Sequence, residues 1–348
     1  MIIGVIGSGL SGLTAGKTLA DAGHEVTVFD KSYEYGGRMV TGHAGDNSQV
    51  KLDYGASYFQ AESEEFKSFL SELEKKDLIK EWCDSFSFYN GETFYERHPG
   101  RERKNYYMAP NGMNSIGKYL SRYLDFRLGV PVSGLTFIGS NRLSKRNWMI
   151  TLADINTFEL DAIIVATPAP QAYGLIQTSQ DELAFRKIIR TVSRVEYEPS
   201  FSLMASYGKR ELPEWNAMVC QDERIKWISN ETSKRENSGE LGLVIKSAGD
   251  FAHKHMNEDP ERVSHLMLEN VAALAGEWAR KPQWHNVHLW KYSKLLNPLK
   301  PQYLELEDHS APAALIGDYF GDQSMETAYL SGLKLGQHWV EKFAMEKA

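Results

Sequence analysis

Six residues near the N-terminus, Gly7-Ser8-Gly9-Leu10-Ser11-Gly12, have the types and spacing of a phosphate-binding turn, G-x-G-x-x-G. Glycines at those places permit a tight turn, a close approach of backbone to pyrophosphate, and close packing of a helix on its strand. The helix that follows offers free N–H groups and a partial positive charge to the anion. Asp30 stands 18 residues past Gly12, at the end of the next apolar run, where a carboxylate can accept hydrogen bonds from adenosine ribose hydroxyls. An acid there repels a ribose 2′-phosphate, so FAD or NAD is favoured over NADP. The competing reading is a glycine turn that serves structure alone.

Two further clusters bear on that choice. Gly36-Gly37-Arg38-Met39 sets a cation where glycines let the backbone pass close to a pyrophosphate, although an Arg after two glycines is often a solvated loop. Near the C-terminus, Leu315-Ile316-Gly317-Asp318 ends a short apolar run with a carboxylate, and Met325-Glu326-Thr327-Ala328 opens a helix soon after. A strand-end Asp can hold a ribityl chain, and a helix N-terminus can stabilise negative charge developing at N1 and C2=O of a reduced isoalloxazine. Taken alone this segment reads equally well as a capped helix with an acidic first turn; joined to the N-terminal pattern it favours a flavin.

Composition excludes several alternatives. The 348 residues carry two cysteines, Cys83 and Cys220, too far apart for a C-x-x-C redox pair, a Cys-rich zinc site or a disulfide framework, so any redox chemistry must be borrowed from a cofactor. One G-x-G-x-x-G leaves no second dinucleotide domain. His253, His255, His285 and His288 sit in polar surroundings or at a strand start and read as solvated side chains rather than ligands, so no metal is expected. A net charge of −7 gives no positive field for nucleic acid or anionic lipid. No apolar run approaches the roughly 18 residues of a membrane span, and the chain opens without a basic leader; a cytoplasmic protein is expected.

The elements that must position these groups follow from periodicity. Ile2 to Ile6, a helix from Ser11 to Asp21 and Glu25 to Asp30 make a βαβ unit. Asn90-Gly91 between aromatic runs predicts a hairpin with a type I′ turn. Further strands are predicted at Val132–Ile138, Trp148–Leu152, Ala162–Ala166, Phe201–Ser206, Lys226–Ser229, Leu241–Ser247, Asn286–Tyr292 and Ala313–Ile316. Helices are predicted at Pro260–Trp278 and Met325–Lys342, and the charged, turn-rich Ser229–Gly239 run is read as a mobile loop. The fold class is α/β: a Rossmann-like FAD-binding part over 1–60, 105–170 and 300–348, and a mixed β-sheet substrate part with helices over 61–104 and 171–299.

Over nearly its whole length the sequence resembles the flavin-containing amine oxidase superfamily, and within it the bacterial renalase-type oxidases. The residues that carry the resemblance are Gly7 to Gly12, Phe29-Asp30-Lys31-Ser32 with Gly36 to Met39, Leu52-Asp53-Tyr54-Gly55-Ala56-Ser57-Tyr58-Phe59, Asn111 to Asn114, Val165-Ala166-Thr167-Pro168-Ala169-Pro170-Gln171-Ala172, Gly317-Asp318 and Glu326 to Gly332. The runs Leu52 to Phe59 and Val165 to Ala172 discriminate best. The resemblance implies non-covalent FAD, with Gly7, Ser8, Gly9, Leu10, Ser11, Gly12, Gly37, Arg38 and Met39 about the pyrophosphate and Asp30 and Lys31 at adenosine. It puts Val132 at adenine through its backbone, Gly55, Ala56 and Ser57 near the flavin ring, and Asp318, Glu326, Thr327 and Ala328 along the ribityl chain and pyrimidine edge.

Trp227, Lys246 and Tyr292 are similar in position to residues lining the renalase cavity and are the substrate-binding candidates. Core aromatics are the competing reading for the two rings, and an edge or solvent lysine for Lys246. No catalytic side chain is assigned, since the flavin carries the hydride. The sequence departs from the renalase pattern at Lys246, at Leu289-Trp290 and at Ser233-Lys234-Arg235-Glu236, all in the substrate part. What the resemblance implies is oxidation of misreduced dihydropyridine isomers of NAD(P)H to NAD(P)+, with O2 giving H2O2; a monomer is the expected state. An amine oxidase acting on a small amine, and a flavoprotein with an isomerase or binding role, are the alternatives.

Overall fold

The computed structural model describes residues 1–45, 50–139, 146–179, 182–235, 239–306 and 311–345, with backbone alone for 182–184. Apolar side chains on both faces suit Ile2–Ile6 to the middle of a parallel sheet. It pairs in parallel with Glu25–Asp30 on one side and Ala162–Val165 on the other. Asp125–Leu128 and Ala313–Leu315 extend the sheet in parallel, and Leu304–Glu305 closes one edge antiparallel.

The first helix, Leu10–Asp21, packs against the last, Met325–Met345. Gly332 makes that possible, because a Cβ there would lie 2.2 Å from the Ser11 carbonyl oxygen. Trp339 and Phe343 of the last helix then bury against Val5, Val26 and Ile164 of the sheet. An antiparallel meander, Val132–Phe137, Trp148–Leu152 and Thr157–Leu160, contributes Trp148 and Ile150 to the core on the opposite side. Helix Glu64–Glu74 joins this half as well: its Phe66 and Phe69 pack on Tyr329 of the last helix.

The second sheet has seven strands in the order 284–295, 197–209, 240–247, 225–230, 217–220, 87–89 and 94–95. Phe201, Leu203, Ala205 and Tyr207 alternate with Ser202, Met204 and Ser206, so the first set buries beneath helix Pro260–Ala275 and the second faces the other way. Leu241, Leu243 and Ile245 likewise bury there, which turns Lys246 to the opposite face, directly across from Ser202.

Several expectations need correction. The strands predicted at Phe201–Ser206 and Asn286–Tyr292 run longer, as Tyr197–Lys209 and Trp284–Leu295, because each pairs along nearly its whole length with the other. The predicted helix stops at Ala275, where Gly276 takes φ +107°, and resumes as a 3-10 turn, Glu277–Arg280. The hairpin near Asn90 exists without a type I′ turn: only Gly91 has positive φ, and the Asn90 carboxamide oxygen accepts from the Glu92 and Thr93 N–H groups at 2.9 and 2.7 Å. The largest change concerns Ser229–Gly239. Its first half is a buried 3-10 turn, Glu231–Lys234, with Glu231 and Lys234 at 0 and 2 % exposure, because these charges pair with one another and with Asp53. Glu236 and the rest of 236–238 lie outside the described residues.

Candidate functional site

Between the two sheets lies a cavity of about 630 Å³, within the range of ligand and cofactor sites. Its floor is the phosphate-binding turn. Gly9 precedes the first helix with no side-chain cap, so the first N–H groups of that helix lack a side-chain partner there, and a Cβ at Gly9 would meet nothing within 4 Å. Gly37 comes so near that its Cβ would stand 3.1 Å from Gly9 Cα, and its φ of +57° favours glycine. Gly12 fits because a Cβ would sit 2.1 Å from the Gly7 carbonyl oxygen.

Asp30 ties this turn to the second strand. One carboxylate oxygen accepts from the Ser8 N–H at 2.6 Å and the Ser8 hydroxyl at 2.7 Å, and the other from the Ser32 N–H at 2.8 Å. Arg38 and Asp318, 280 positions apart, meet on the cavity wall with Nη2 to Oδ1 at 2.7 Å. Burial opposes the Arg38 charge, but the Asp318 carboxylate outweighs it and raises the guanidinium above its usual value.

Glu326 lines the cavity, yet its carboxylate accepts from the backbone N–H groups of Glu62 and Ser63 at 2.7 Å each and so anchors the start of helix Glu64–Glu74. Thr327 caps locally, its N–H donating to the Ser324 hydroxyl at 3.0 Å.

The other wall comes from the seven-stranded sheet and the loop 53–60. Lys246 Nζ donates to the Gly55 carbonyl at 2.6 Å, and the Trp290 indole N–H to the Tyr54 carbonyl at 3.0 Å. Tyr54, His288 and Trp290 form an aromatic group, with Tyr54 and Trp290 stacked at 5.7 Å. Burial pushes the Lys246 ammonium down to about 8, helped by Lys234 and opposed by Glu231 and Asp53. Burial also lowers His288. Three buried polar atoms of cavity-lining residues, Gln60 Nε2, Thr167 Oγ1 and Ser202 Oγ, have no hydrogen-bond partner among the described residues. Such atoms cost free energy unless something binds them. A glycine cradle, an uncapped helix start, an Arg–Asp pair and unpaired polar atoms together suit a dinucleotide cofactor.

Residues 5–73 match the family model for an NAD(P)-binding Rossmann-like domain, and residues 90–335 match that for flavin containing amine oxidoreductase. The chain belongs to the flavin-containing amine oxidoreductase family. It is similar to mouse (Mus musculus) renalase, 24 % identical over 328 residues that cover 90 % of this chain and 91 % of that protein. In fold it is similar to cyclohexylamine oxidase from Brevibacterium oxydans (TM-score 0.74, 12 % identity, 99 % of both chains). Putrescine oxidase bound to putrescine is another likeness (TM-score 0.72, 13 % identity, 98 % of this chain and 99 % of that one).

This renalase-like flavin amine oxidoreductase is an FAD-dependent oxidoreductase whose sites are distributed unevenly about the cavity. Gly9, Leu10, Ser11, Arg38, Met39, Gly55, Ala56, Ser57, Asp318, Glu326, Thr327, Ala328 and Lys246 line it. Gly7, Ser8, Gly12, Asp30 and Gly37 support that lining from behind or beside it, while Lys31 is exposed and Val132 begins the meander strand.

Two substrate candidates lie elsewhere. Trp227 is 8 % exposed in a cluster with Tyr58, Phe86 and Tyr106, behind the lining residue Tyr58, because a large ring packs best among other rings. Tyr292 packs edge-on against Tyr197 at 5.6 Å and is absent from the lining. Sequence reasoning missed Ser202, Gln60 and Trp290 as lining residues. The available signal was period-2 alternation, which puts Ser202 and Lys246 on the face opposite the apolar set. No helix of the described residues is long and apolar enough to cross a membrane, and among them no group of three or more His, Cys, Asp or Glu could hold a metal.

Proposed function

We propose that this chain is an FAD-dependent oxidase of renalase type, a cytoplasmic monomer that oxidises 2- or 6-dihydro isomers of NAD(P)H to NAD(P)+. The observation that carries this reading is similarity to mouse renalase across nine-tenths of both chains, wider than any short dinucleotide motif. FAD, held by the glycine turn with Arg38 and Asp318, would supply the two-electron acceptor, and O2 with one proton would take the hydride equivalent on to H2O2.

This chain's residues orient the donor and keep water out. Trp290, backed by the stacked ring of Tyr54, and Tyr58 offer flat apolar surface to a dihydropyridine ring. Lys246 and Ser202, opposed on neighbouring strands, offer an ammonium donor and a free hydroxyl to a carboxamide. Losing a hydride from carbon requires no base. The lining carboxylates are already engaged: Asp318 by Arg38, Glu62 by Lys104, Glu326 by backbone N–H groups, and Asp322 by Ser324 and Thr327. Each described lining carboxylate thus already has a partner on at least one oxygen, which weakens the case for an alkylammonium anchor.

An amine oxidase acting on a small amine is the second reading, favoured by the family and by the likeness to cyclohexylamine and putrescine oxidases. Anaerobic mixing separates the two. Bleaching of the flavin band by the dihydro isomers and not by primary amines is expected; bleaching by amines alone reverses the assignment.

A further inference from the structure

Three consecutive residues of the loop bordering the cavity are each gripped by side chains of the seven-stranded sheet or the turn that follows one of its strands. Asp53 Oδ2 accepts from Arg235 Nη2 at 2.6 Å and Lys234 Nζ at 3.2 Å. Its Oδ1 accepts from the Thr41 hydroxyl at 2.7 Å and the Met113 N–H at 3.1 Å, and its own N–H donates to Glu231 Oε2 at 3.0 Å. The Tyr54 carbonyl takes the Trp290 indole, and the Gly55 carbonyl takes the Lys246 ammonium. Residues 56 and 57 then line the cavity.

This loop belongs to no strand between Asp53 and Ser57, and within it the Ala56 N–H donates to the Arg38 carbonyl at 2.8 Å. The residues before Ala56 are held to the other sheet by side chains. The side chains of Asp53, Glu231 and Lys234 are 0 % exposed and that of Arg235 12 %, a buried set whose two positive and two negative charges balance. Such a set is poor evidence for stability, since apolar residues of similar volume often serve as well; its presence calls for a geometric reason.

We propose that Asp53, Glu231, Lys234 and Arg235 are positioning residues that lock the 53–55 loop onto the substrate sheet and thereby fix the place and charge of the Lys246 ammonium at the cavity wall. The inference rests on FAD as cofactor and is independent of the substrate reading. The charged groups around Lys246 have opposite leverage: Lys234 disfavours its ammonium, while Glu231 and Asp53 favour it. Other ionisable groups on its side of the sheet and across the cavity are Tyr54 and Tyr58 of the loop, Arg235 of the turn, His288 on the next strand but one, beyond Ser202, and the Arg38–Asp318 pair on the cofactor side.

The test is a pH titration of the absorption spectrum of oxidised holoprotein with no substrate added. A spectral step near pH 8 is expected in the wild type and absent in Lys246→Met. Glu231→Gln should move the midpoint down and Lys234→Gln should move it up, each by about one unit. Loss of structure alone would move both the same way. The double variant Glu231→Gln/Lys234→Gln removes one charge of each sign and should keep its midpoint near that of the wild type, which covers single variants that do not fold. Single variants shifting together, a step that survives Lys246→Met, or a folded double variant with no step would each overturn the proposal.

Discussion

Asp30 spends both carboxylate oxygens on neighbours, holding Ser8 of the glycine turn and Ser32 beyond the strand. We propose that it binds the adenosine ribose and also keeps the turn in shape. Asp30→Ala removes these bonds and should weaken FAD binding by about 1–3 kcal/mol, roughly ten- to a hundredfold in Kd. The ratio of flavin to protein absorbance after gel filtration measures it, and full retention of the yellow cofactor would count against the role. This part of the site was legible because its chemistry is local: strand, glycines, helix and acid lie within 30 residues. The Asp53 quartet was not. Its members sit 178 or more positions from Asp53, and a charged, turn-rich run looks like a solvated loop until its counter-charges are brought in from elsewhere.

Between elements, the contacts that shape the cavity run across long stretches of sequence. Glu326, which the sequence suggested lies along the flavin edge, gives its carboxylate to the Glu62 and Ser63 N–H groups, and no spacing rule links residues 264 apart. Glu326→Ala should cost about 1–2 kcal/mol, the value of a helix N-terminal cap, while Glu326→Gln keeps an acceptor and should cost less; urea unfolding distinguishes them. Equal losses in both would show that the carboxylate charge, and not its hydrogen bonding, anchors that helix.

Gly332 sets the distance between the first and last helices. A Cβ 2.2 Å from the Ser11 carbonyl forces them apart at the phosphate-binding turn. Gly332→Ala should therefore lower Tm and FAD affinity together, by calorimetry and by titration of apoprotein with FAD. Loss of Tm with unchanged affinity would separate helix packing from cofactor binding. The βαβ unit and most strands were readable from period-2 and period-3.6 patterns, whereas strand ends and the Asn90 hairpin turn were set by pairing partners the sequence does not reveal locally.

Across the whole molecule, one sheet carries the nucleotide turn, the other carries Lys246 and Trp290, and the 53–55 loop joins them at buried charges. The two ionisable groups most tied to this joint have pKa values displaced in the same direction, with different consequences. For Asp53, burial would raise the carboxyl, but Lys234 and Arg235 hold it below its usual value, so its contribution to stability is present at neutral pH and lost as the medium turns acid enough to protonate it.

Lys246 is a cation held at about 8 against an ordinary 10.5, so the unfolded chain binds its proton more tightly. The penalty for burying that charge is complete below about pH 8 and fades as pH climbs toward 10.5. A methionine at 246 has nothing to titrate. The stability of the wild type minus that of Lys246→Met should hence be flat from pH 6 to 7.5 and rise in favour of the wild type above 8, by about 3 kcal/mol in all. Lys246 also donates to the Gly55 carbonyl, so the offset at neutral pH mixes that bond with the buried charge. The slope isolates the charge, because a hydrogen bond lost at every pH shifts the curve without tilting it. Urea unfolding of FAD-saturated protein at several pH values measures the slope, and parallel curves would place the Lys246 ammonium in water rather than at the joint between the sheets.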